Sequence, residues 1–280
     1  MAFYHRKDFD LRISIKQVGC YLLLEIDFNF AMKVAQIAKC AGKKIMKIYT
    51  TDFVVRSKED KSPVTAADKI AENLILSALI NDIGSRFPIV SEEAASEAQP
   101  PPVDHKPFWL IDPLDGTREF VNRNGEFTVN IALIDEFFPL LGIVYIPAQK
   151  TTYVGFPAGA FRIQGDGPPE NISCRTSPEA GLTALVSRSH RTKEIDQYLY
   201  NFNINNEISA GSSLKFCRVA EGIADIYPRL GRTMEWDTAA GHGVLKFAGG
   251  EVRLLDGSPL KYGKPSFENP HFVAAGIGII

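Results

Sequence analysis

The sequence predicts a layered fold of α-helices and β-strands, of the α/β or α+β class. Three observations lead to this prediction. Segments with helical apolar spacing alternate with short strand-like runs, both kinds occur in each half of the chain, and no internal repeat is visible. With 280 residues, the chain is long enough for one large domain or for two closely packed halves.

In the first half, two predicted helices precede a series of strands. Apolar residues recur at helical spacing from Phe30 to Tyr49. Thr65 opens a second helix that reaches Leu79, after the polar loop RSKEDKSP. A surface loop, AASEAQPPPVDHKP, follows the first strand. The predicted strands are FPIVSEE, Phe108–Ile111, Thr128–Ile134, Leu140–Ile146, Thr152–Phe156 and Ala160–Ile163.

The second half follows a predicted connection, GDGPPENIS, and mixes helices with strands. Its last helix is stopped by Gly249 and Gly250. The predicted strands are Thr183–Ser187, Glu207–Ser209, Asp225–Tyr227 and Glu251–Leu255, and the predicted helices are Glu194–Tyr200, Ser213–Gly222 and Thr238–Ala248. Residues 1–28 are predicted to form an extension of unknown role, since Glu25 and Asp27 interrupt a window too short to span a membrane.

The composition is that of an ordinary globular protein. The chain is 45% hydrophobic and 23% charged, with a formal net charge of −2, which argues against general coating of nucleic acid. The four cysteines, Cys20, Cys40, Cys174 and Cys217, form no C-x-x-C pair. They are therefore predicted to be reduced thiols in a cytosolic protein.

The segment WLIDPLDGTREF, Trp109 to Phe120, places two carboxylates at the end of a buried strand. Asp112 follows the apolar run Phe108–Ile111, a poor place for an uncompensated charge. Pro113 fixes φ and Gly116 permits a sharp turn. The resulting rigid loop directs Asp112, Asp115 and a hydroxyl to one point, and a cation is expected there.

Further acids follow other predicted strands or begin helices: Asp68 in TAAD, Glu92 and Glu93 in VSEE, and Asp237 in EWDTAAG. Asp237 precedes Thr238 and is predicted to N-cap the last helix. Asp68, Glu93 or Asp237 taken alone favours a solvated loop carboxylate or a helix cap, whereas DPLDGT taken alone is equally compatible with a metal site and with ordinary Asp-Gly turn chemistry. Together they favour a site for hard divalent ions such as Mg²⁺, which prefer oxygen ligands.

VSEE, WLIDPLDGT and EWDTAAG, in this order, resemble the inositol monophosphatase superfamily of Mg²⁺-dependent, lithium-sensitive phosphomonoesterases. A finer match, to its bacterial 3'(2'),5'-bisphosphate nucleotidase branch, rests on longer motifs. These motifs are SPVTAAD, DPLDGTREFVNRNGEFTVNIALID, SRSH, GSSLKFCRVAEGIADIYPRLG and WDTAAGH. The resemblance runs from about Phe30 to the C-terminus.

The resemblance implies a fold and a set of metal ligands. The fold is an αβαβα sandwich, with an α+β half over residues 29–165 that carries most of the ligands and an α/β half over 166–280 that completes the metal site and binds the nucleotide. Glu92, Asp112 and the carbonyl of Leu114 are expected to bind a first Mg²⁺, and Asp112, Asp115 and Asp237 a second. Glu92 is expected to hold a third, weaker ion, giving two or three ions, for which Mn²⁺ is expected to substitute.

The resemblance also implies the chemistry. Asp68 and Thr117 are expected to orient and deprotonate the attacking water, and the Gly116 and Thr117 amides to hold the phosphate. A metal-activated water would attack in line, with no phospho-enzyme. The phosphate being cleaved is further expected to contact the metal-ligand positions Glu92, Leu114, Asp115 and Asp237.

The substrate prediction depends on GSSLK and YPRLG. In the nucleotidase branch the residues matching Ser212, Ser213, Lys215 and Arg229 hold the second phosphate, which an inositol monophosphate lacks. Taken alone, Lys215 is equally a solvated helix lysine and Arg229 a surface cation. His190 in SRSH resembles a residue near the nucleotide, with a lone surface histidine as the alternative. The GEF segment, 125–127, is assigned to packing.

Three hypotheses follow. The first is hydrolysis of the 3'-phosphate of adenosine 3',5'-bisphosphate to AMP, with action on the related sulfonucleotide. The second is an inositol or sugar-bisphosphate phosphatase, and the third is a catalytically silent nucleotide sensor. The resemblance further implies a cytoplasmic protein, with peripheral contact to the inner membrane as an alternative, a small-molecule nucleotide as partner rather than a nucleic acid polymer, and a monomer or homodimer.

Overall fold

The computed structural model describes residues 26–51, 55–57, 63–103, 106–188 and 191–280. Most of the predicted extension, with Cys20, and also His190 lie outside these residues. The helices are α1 Phe28–Tyr49, α2 Ala66–Ala78, α3 Glu92–Glu97, α4 Thr117–Val121, α5 Lys193–Leu199, α6 Leu214–Ala220 and α7 Glu235–Phe247. Asp27 caps α1 by accepting a hydrogen bond from the Phe30 amide at 2.7 Å.

The strands form two large sheets and a hairpin. The hairpin pairs β1 Val55–Ser57 with β2 Pro63–Thr65. The strands of the seven-stranded sheet, adjacent in chain order, are β3 Ile89–Ser91, β4 Phe108–Asp115, β5 Thr128–Asp135, β6 Phe138–Ile146, β7 Thr151–Phe156, β8 Gly159–Gln164 and β9 Glu170–Ile172. The five-stranded sheet, ordered β11-β10-β12-β14-β13, contains β10 Leu182–Ser187, β11 Ile204–Ala210, β12 Ile226–Arg229, β13 Glu251–Leu254 and β14 Phe272–Ala275.

Helices cover both faces of each sheet and produce five layers. Alternate residues of β4 point to opposite faces, so that Leu110 packs into the core with α6 and α7 while Trp109 packs into the core with α1 and α2. In β14, Phe272 joins the α6–α7 core and Val273 joins a third core with α5. The order is therefore α1/α2, seven-stranded sheet, α6/α7, five-stranded sheet, α5, which confirms the predicted αβαβα sandwich.

Helix α7 lies against the middle of the seven-stranded sheet and contacts β4 to β8. The approach is close because glycines face each other. A Cβ atom added at Gly155 of β7 would lie 2.6 Å from the Gly243 carbonyl oxygen of α7, which real Cβ atoms do not tolerate. This packing fixes the first turn of α7, which carries Asp237, above the end of β4.

Several predicted boundaries were wrong, for identifiable reasons. The predicted strand FPIVSEE ends already at Ser91, and the predicted loop after it is not loop throughout, since Glu92–Glu97 forms α3, with two acids favourable at its first turn. The predicted connection GDGPPENIS contains β9, which pairs with β8 at the sheet edge, where nearby prolines are tolerated. The predicted loop RSKEDKSP begins and ends in strand, in β1 and β2.

The start of α7 was also mispredicted. The helix begins at Glu235, and Asp237 is its third residue rather than its N-cap. The Asp237 carboxylate instead accepts a hydrogen bond from the Met234 amide at 2.8 Å, the backward half of a capping box. Strand β14 and helix α4 were not predicted. Cys40, Cys174 and Cys217 are free thiols, as expected, and none of the described helices is long and apolar enough to cross a membrane.

Candidate active site

A cleft of about 420 Å³ lies where β4, α4, α6, β12 and α7 meet. Most of the predicted site residues line it: Glu92, Asp112, Leu114, Asp115, Gly116, Thr117, Ser212, Lys215, Arg229 and Asp237. These residues come from segments as far apart in the chain as α3 and α7. The fold therefore brings the predicted constellation together.

The acidic side of the cleft is built by the end of β4. Asp112 remains paired with Asn130 of β5 and Asp115 with Thr128, with an irregularity between the two pairs. Gly116 has φ +87°, a left-handed conformation that an L side chain rarely adopts. The turn ends in α4, whose first residue, Thr117, directs its hydroxyl towards the Leu114 carbonyl oxygen at 3.5 Å. Thus the two carboxylates and Thr117 line the same cleft.

We call the side of the cleft that carries Glu92, Asp112, Asp115 and Asp237 the acidic wall. Burial and mutual repulsion destabilise the ionised form of its carboxylates. The pKa of Asp112, which is 1% exposed, is raised well above its ordinary value by desolvation first and then by the charges of Glu92, Asp115, Asp237 and Asp68. Desolvation also raises the pKa of Asp237 well above its ordinary value, with further contributions from Asp115 and Glu92. A cation bound among these carboxylates would offset their repulsion and favour their ionised forms.

The donor set fits a hard divalent cation, since it consists of oxygen atoms with net negative charge. Within the described residues, however, no three His, Cys, Asp or Glu side chains already form a metal-binding group. Hydrogen bonds hold the carboxylates: Asp112 accepts from the Leu114 amide at 3.1 Å, and Asp237 from Met234. The carboxylates therefore share the cleft without being closed around one point, and side-chain rotation has to accompany cation binding.

Asp115 is held more firmly than its neighbours. Its Oδ2 atom accepts hydrogen bonds from the Ser212 hydroxyl at 2.6 Å and from the Ser213 amide at 2.7 Å. Both donors belong to the turn between β11 and α6, so the acidic loop is tied to the second half of the chain. Charge-assisted hydrogen bonds of this length are among the strong ones in proteins.

The opposite side of the cleft carries the cationic side chains of Lys215 and Arg229, and we call it the cationic wall. Lys215 is 5% exposed and donates to the Ser212 carbonyl oxygen at 2.6 Å. The pKa of Lys215 is lowered to about 8, mainly by desolvation. The charge of Asp115 opposes this shift, and the charge of Arg229 contributes to it. The Lys215 ammonium also lies 5.2 Å from the centre of the Tyr227 ring. The alternative of a solvated lysine is wrong.

Arg229 ends β12 and faces the same cleft. Its Nη2 atom donates to the Arg232 carbonyl oxygen at 3.2 Å, whereas its buried Nε has no hydrogen-bond partner among the described residues. A buried donor without an acceptor is costly unless a ligand supplies one. Arg229 is therefore not simply a surface cation.

Three predicted residues stand apart from the lining. Asp68, in the first turn of α2, is 3% exposed and does not line the cleft, although its charge contributes to the raised pKa of Asp112. Ser213 is buried beneath the cleft, where its hydroxyl donates to the Asp237 carbonyl oxygen at 2.7 Å. His190 lies outside the described residues.

The sequence interpretation missed several residues of the site. Glu119, Tyr227, Arg232 and Thr233 line the cleft. Thr128 and Asn130 of β5 lie behind it, where Thr128 contacts Ser212 and Asn130 contacts Ser213 and Asp115. The signal available was a polar residue at alternate positions of an otherwise apolar strand, T-V-N-I.

A larger cavity, of about 680 Å³, lies under the loop with the three prolines. The described part of its lining is mostly aromatic, proline and lysine, including Phe108, Tyr262, Lys106 and Lys264, and contains no carboxylate. It therefore lacks the donors that a divalent cation or a phosphate-transfer reaction requires. The smaller acidic cleft is the candidate active site.

Comparison with families of known proteins gives a match over residues 28–275 to the model of the inositol monophosphatase family. Among curated proteins, the 3'(2'),5'-bisphosphate nucleotidase CysQ of Escherichia coli strain K12 is 44% identical over 247 residues, which cover 86% of this chain and 97% of the relative. The protein of the same name from Buchnera aphidicola is 40% identical over 250 residues, 88% of this chain and 93% of the relative.

Among solved structures, CysQ from Bacteroides thetaiotaomicron, described as a bacterial member of the inositol monophosphatase family, has a TM-score of 0.74 and 37% identity. The match covers 89% of this chain and 97% of that one. An inositol monophosphatase from Anabaena matches with a TM-score of 0.69 and 25% identity, over 88% of this chain and 90% of that one.

Proposed function

The chain belongs to the inositol monophosphatase family, and from this membership and its CysQ relatives we infer that it is a 3'(2'),5'-bisphosphate nucleotidase. It hydrolyses the 3'-phosphate of adenosine 3',5'-bisphosphate to give AMP and inorganic phosphate. The observation that carries this conclusion is the cleft itself, which sets an acidic wall for cations opposite Lys215 and Arg229. A substrate with two phosphates would place one beside the cations held by the acidic wall and the other beside Lys215 and Arg229.

Members of the family are Mg²⁺-dependent phosphatases, and we propose which residues would hold the ions here. Glu92, Asp112 and the Leu114 carbonyl would bind one, and Asp112, Asp115 and Asp237 another. When bound, the ions lower the pKa of the attacking water and neutralise charge on the leaving oxygen. A third ion at Glu92 and replacement of Mg²⁺ by Mn²⁺ are parts of the same proposal.

The residues of the chain itself supply orientation and proton transfer. We propose that Thr117 and Asp68 act in series, with the water giving a proton to the Thr117 hydroxyl oxygen while that hydroxyl gives its own proton to the Asp68 carboxylate. The position of Asp68, buried behind the lining rather than in it, suits a group reached through a hydroxyl. The backbone amides of Gly116 and Thr117, at the start of α4, are proposed to hold the phosphate that is cleaved.

The 5'-phosphate is proposed to bind on the cationic wall. Lys215 and Arg229 supply positive charge, and the unpartnered Nε of Arg229 supplies a donor. Ser212 and Ser213 shape the turn between the two walls, through their hydrogen bonds to Asp115. His190 is proposed to lie near the nucleotide.

Phosphate release measured side by side on three substrates tests the function. With Mg²⁺ present, the expected kcat/KM is highest for adenosine 3',5'-bisphosphate, with the 5'-phosphosulfate analogue also hydrolysed at its 3'-phosphate. Inositol monophosphate, which lacks a second anion, is expected to be hydrolysed at least about 100-fold less efficiently. Robust hydrolysis of inositol monophosphate with none of the nucleotide would favour a general inositol phosphatase, and tight nucleotide binding without turnover a sensor.

The cellular location and the oligomeric state are proposed from the resemblance to the bacterial bisphosphate nucleotidases. We expect it to act in the cytoplasm, with peripheral contact to the inner membrane as the alternative, and to be a monomer or homodimer. Sedimentation with and without liposomes of anionic phospholipid distinguishes these states.

A further inference from the structure

A row of three polar side chains, one just before β5 and two at its start, leads to the turn that joins the two walls of the cleft. Glu126, Thr128 and Asn130 occupy alternate positions, whereas Phe127 and Val129 between them are buried in the α1/α2 core. Alternate residues of a strand share a face, so the three polar residues face the 211–213 turn together. We refer to them as the polar row.

Each member of the polar row contacts a successive residue of the turn. Glu126 Oε2 accepts a hydrogen bond from the Gly211 amide at 2.8 Å. The Thr128 hydroxyl lies 2.6 Å from the Ser212 hydroxyl, and Asn130 Nδ2 donates to the Ser213 hydroxyl at 2.9 Å. The strand thus holds the whole turn in register, residue by residue.

The Thr128 hydroxyl has two polar neighbours. It donates to Asn130 Oδ1 at 3.0 Å, within the polar row, and lies 2.6 Å from the Ser212 hydroxyl. The Ser212 hydroxyl in turn donates to Asp115 Oδ2 at 2.6 Å. The resulting chain runs from Thr128 through Ser212 to Asp115, a proposed metal ligand. Asn130 Nδ2 also reaches the same Asp115 oxygen, at 3.4 Å.

Ser212 is where this arrangement matters most. It has φ +53°, a left-handed conformation that is uncommon for a residue with a side chain and persists when its surroundings over-determine it. Thr128 and Asn130 are both fully buried, so no water replaces a lost contact without rearrangement. The contact with Thr128 therefore adds to the bonds that Ser212 makes with Asp115 and Lys215.

We propose that Thr128, with Glu126 and Asn130, is a positioning residue that sets Asp115 for cation binding by fixing the 211–213 turn. With one carboxylate oxygen held by the turn, the other is left to serve as a ligand. The same turn is bonded to Lys215, through the Ser212 carbonyl oxygen, so the row couples the acidic wall to the cationic wall. The inference rests on the proposed function, because it requires that Asp115 binds a cation.

The test compares two buried threonines of the seven-stranded sheet, both 0% exposed. Thr128→Val removes the hydroxyl that supports Ser212, whereas Thr152→Val, in β7, removes a hydroxyl with no hydrogen-bond partner among the described residues. Mg²⁺ binding is measured by isothermal titration calorimetry, and the melting temperature is measured without Mg²⁺. Thr128→Ser, which keeps the hydroxyl, serves as the conservative variant.

Thr128→Val is expected to weaken Mg²⁺ binding by roughly tenfold, as is typical when a partner of a metal ligand is lost. Thr128→Ser is expected to retain wild-type binding, and so is Thr152→Val. In the Ser212→Ala background, Thr128→Val is expected to have little additional effect, because it acts through Ser212. If Thr128→Val does not fold, Asn130→Ser is measured in the same way, with the same criteria.

The proposal is overturned if Thr128→Val binds Mg²⁺ within twofold of Thr152→Val, or if its effect adds fully to that of Ser212→Ala. Failure of the proposed function has a different signature. In that case the wild type itself shows no Mg²⁺ binding by calorimetry, or does not release phosphate from adenosine 3',5'-bisphosphate.

Discussion

The two walls of the cleft are built in different ways. The acidic wall takes most of its residues, Asp112 to Thr117, from one continuous segment at the end of β4 and the start of α4, and adds Glu92 from α3 and Asp237 from α7. The cationic wall assembles Lys215 from α6 and Arg229 from β12, and each needs the five-stranded sheet to bring it into position. The turn chemistry of DPLDGT indicates most of the acidic wall locally, whereas Lys215 and Arg229 were predicted only through the family resemblance, and the fold alone shows them side by side.

Each wall is also unfavourable by itself. Burial raises the pKa of Asp112 and lowers the pKa of Lys215, so both groups resist their charged forms. Asp115 partly reverses the shift of Lys215 across the cleft. The walls therefore support each other, and a ligand set with cations on one side and anions on the other completes the balance.

The largest effect is expected from the acidic wall. Asp112→Asn is expected to reduce kcat/KM for the nucleotide by about 1,000-fold or more, because a ligand shared by two ions is lost. The melting temperature is expected to stay the same or rise, since repulsion among the carboxylates decreases. Phosphate-release kinetics and calorimetric melting measure the two effects.

The control for Asp112→Asn is Asp135→Asn, at the far end of β5, where burial likewise raises the pKa of an aspartate. This variant is expected to keep full activity. A fully active Asp112→Asn enzyme would contradict two-ion catalysis.

The cationic wall is expected to govern substrate choice. Lys215→Met keeps the length of the side chain and removes its charge, so KM for adenosine 3',5'-bisphosphate is expected to rise by about 10-fold to 100-fold. The already low kcat/KM for inositol monophosphate is expected to change little. Lys246→Met, in α7, is the control, because desolvation also lowers the pKa of Lys246 and its ammonium likewise donates to a carbonyl oxygen, that of Pro139. An unchanged substrate ranking in Lys215→Met would indicate a general phosphatase.

Divalent ions are expected to stabilise the folded protein through the acidic wall. At 100 times the dissociation constant, Mg²⁺ contributes about 2.7 kcal/mol, which raises the melting temperature by several degrees. Asp112→Asn is expected to abolish most of this shift. Lithium, which inhibits the family, is expected to inhibit here as well. Differential scanning fluorimetry with Mg²⁺, with Na⁺ at equal ionic strength and with EDTA separates specific binding from screening, and an equal shift in Asp112→Asn would place the ions elsewhere.

The smallest effect concerns the layer behind the walls. His242 of α7 lies 3.0 Å from the Tyr262 hydroxyl, and burial lowers its pKa to about 3. Because the folded pKa lies below the unfolded value of 6.5, His242 takes up a proton on unfolding. The contribution of His242 to the free energy of unfolding is therefore complete above pH 6.5 and decreases as the pH falls towards 3. Between pH 7 and 5.5 this contribution decreases by about 1 kcal/mol. Urea unfolding of His242→Gln is expected to show a flatter slope over this range, and an unchanged slope would assign acid sensitivity to other groups.

The sequence predicts the layers and the acidic wall because their signals are local. The apolar spacing of α1 and the alternation in β4 and β14 follow from short-range periodicity, although β14 was overlooked. DPLDGT carries its own turn chemistry, and its convergence on the cleft was predicted correctly. By contrast, the role of Asp237 at the third position of α7 depends on where the helix starts, which the Met234 contact decides.

The parts that were missed depend on long-range contacts. Thr128 and Asn130 gain their meaning from a turn more than 80 positions away in the chain, at Ser212 and Ser213. The assignment of GEF to packing holds for Phe127, which is buried in the α1/α2 core, but not for Glu126, which bonds to Gly211. No local pattern reveals such partners, because they exist only once the two halves have folded together.

The most direct test of the account is to locate the ions. Crystals are grown with Mn²⁺ and an analogue of adenosine 3',5'-bisphosphate that resists hydrolysis. Anomalous difference peaks then give the positions of the Mn²⁺ ions. We expect two peaks that share Asp112, about 3.5–4 Å apart, beside a phosphate held at Gly116 and Thr117. Peaks absent from this cleft, or the carboxylates of Asp112, Asp115 and Asp237 turned away from one another with no ion among them, would contradict it.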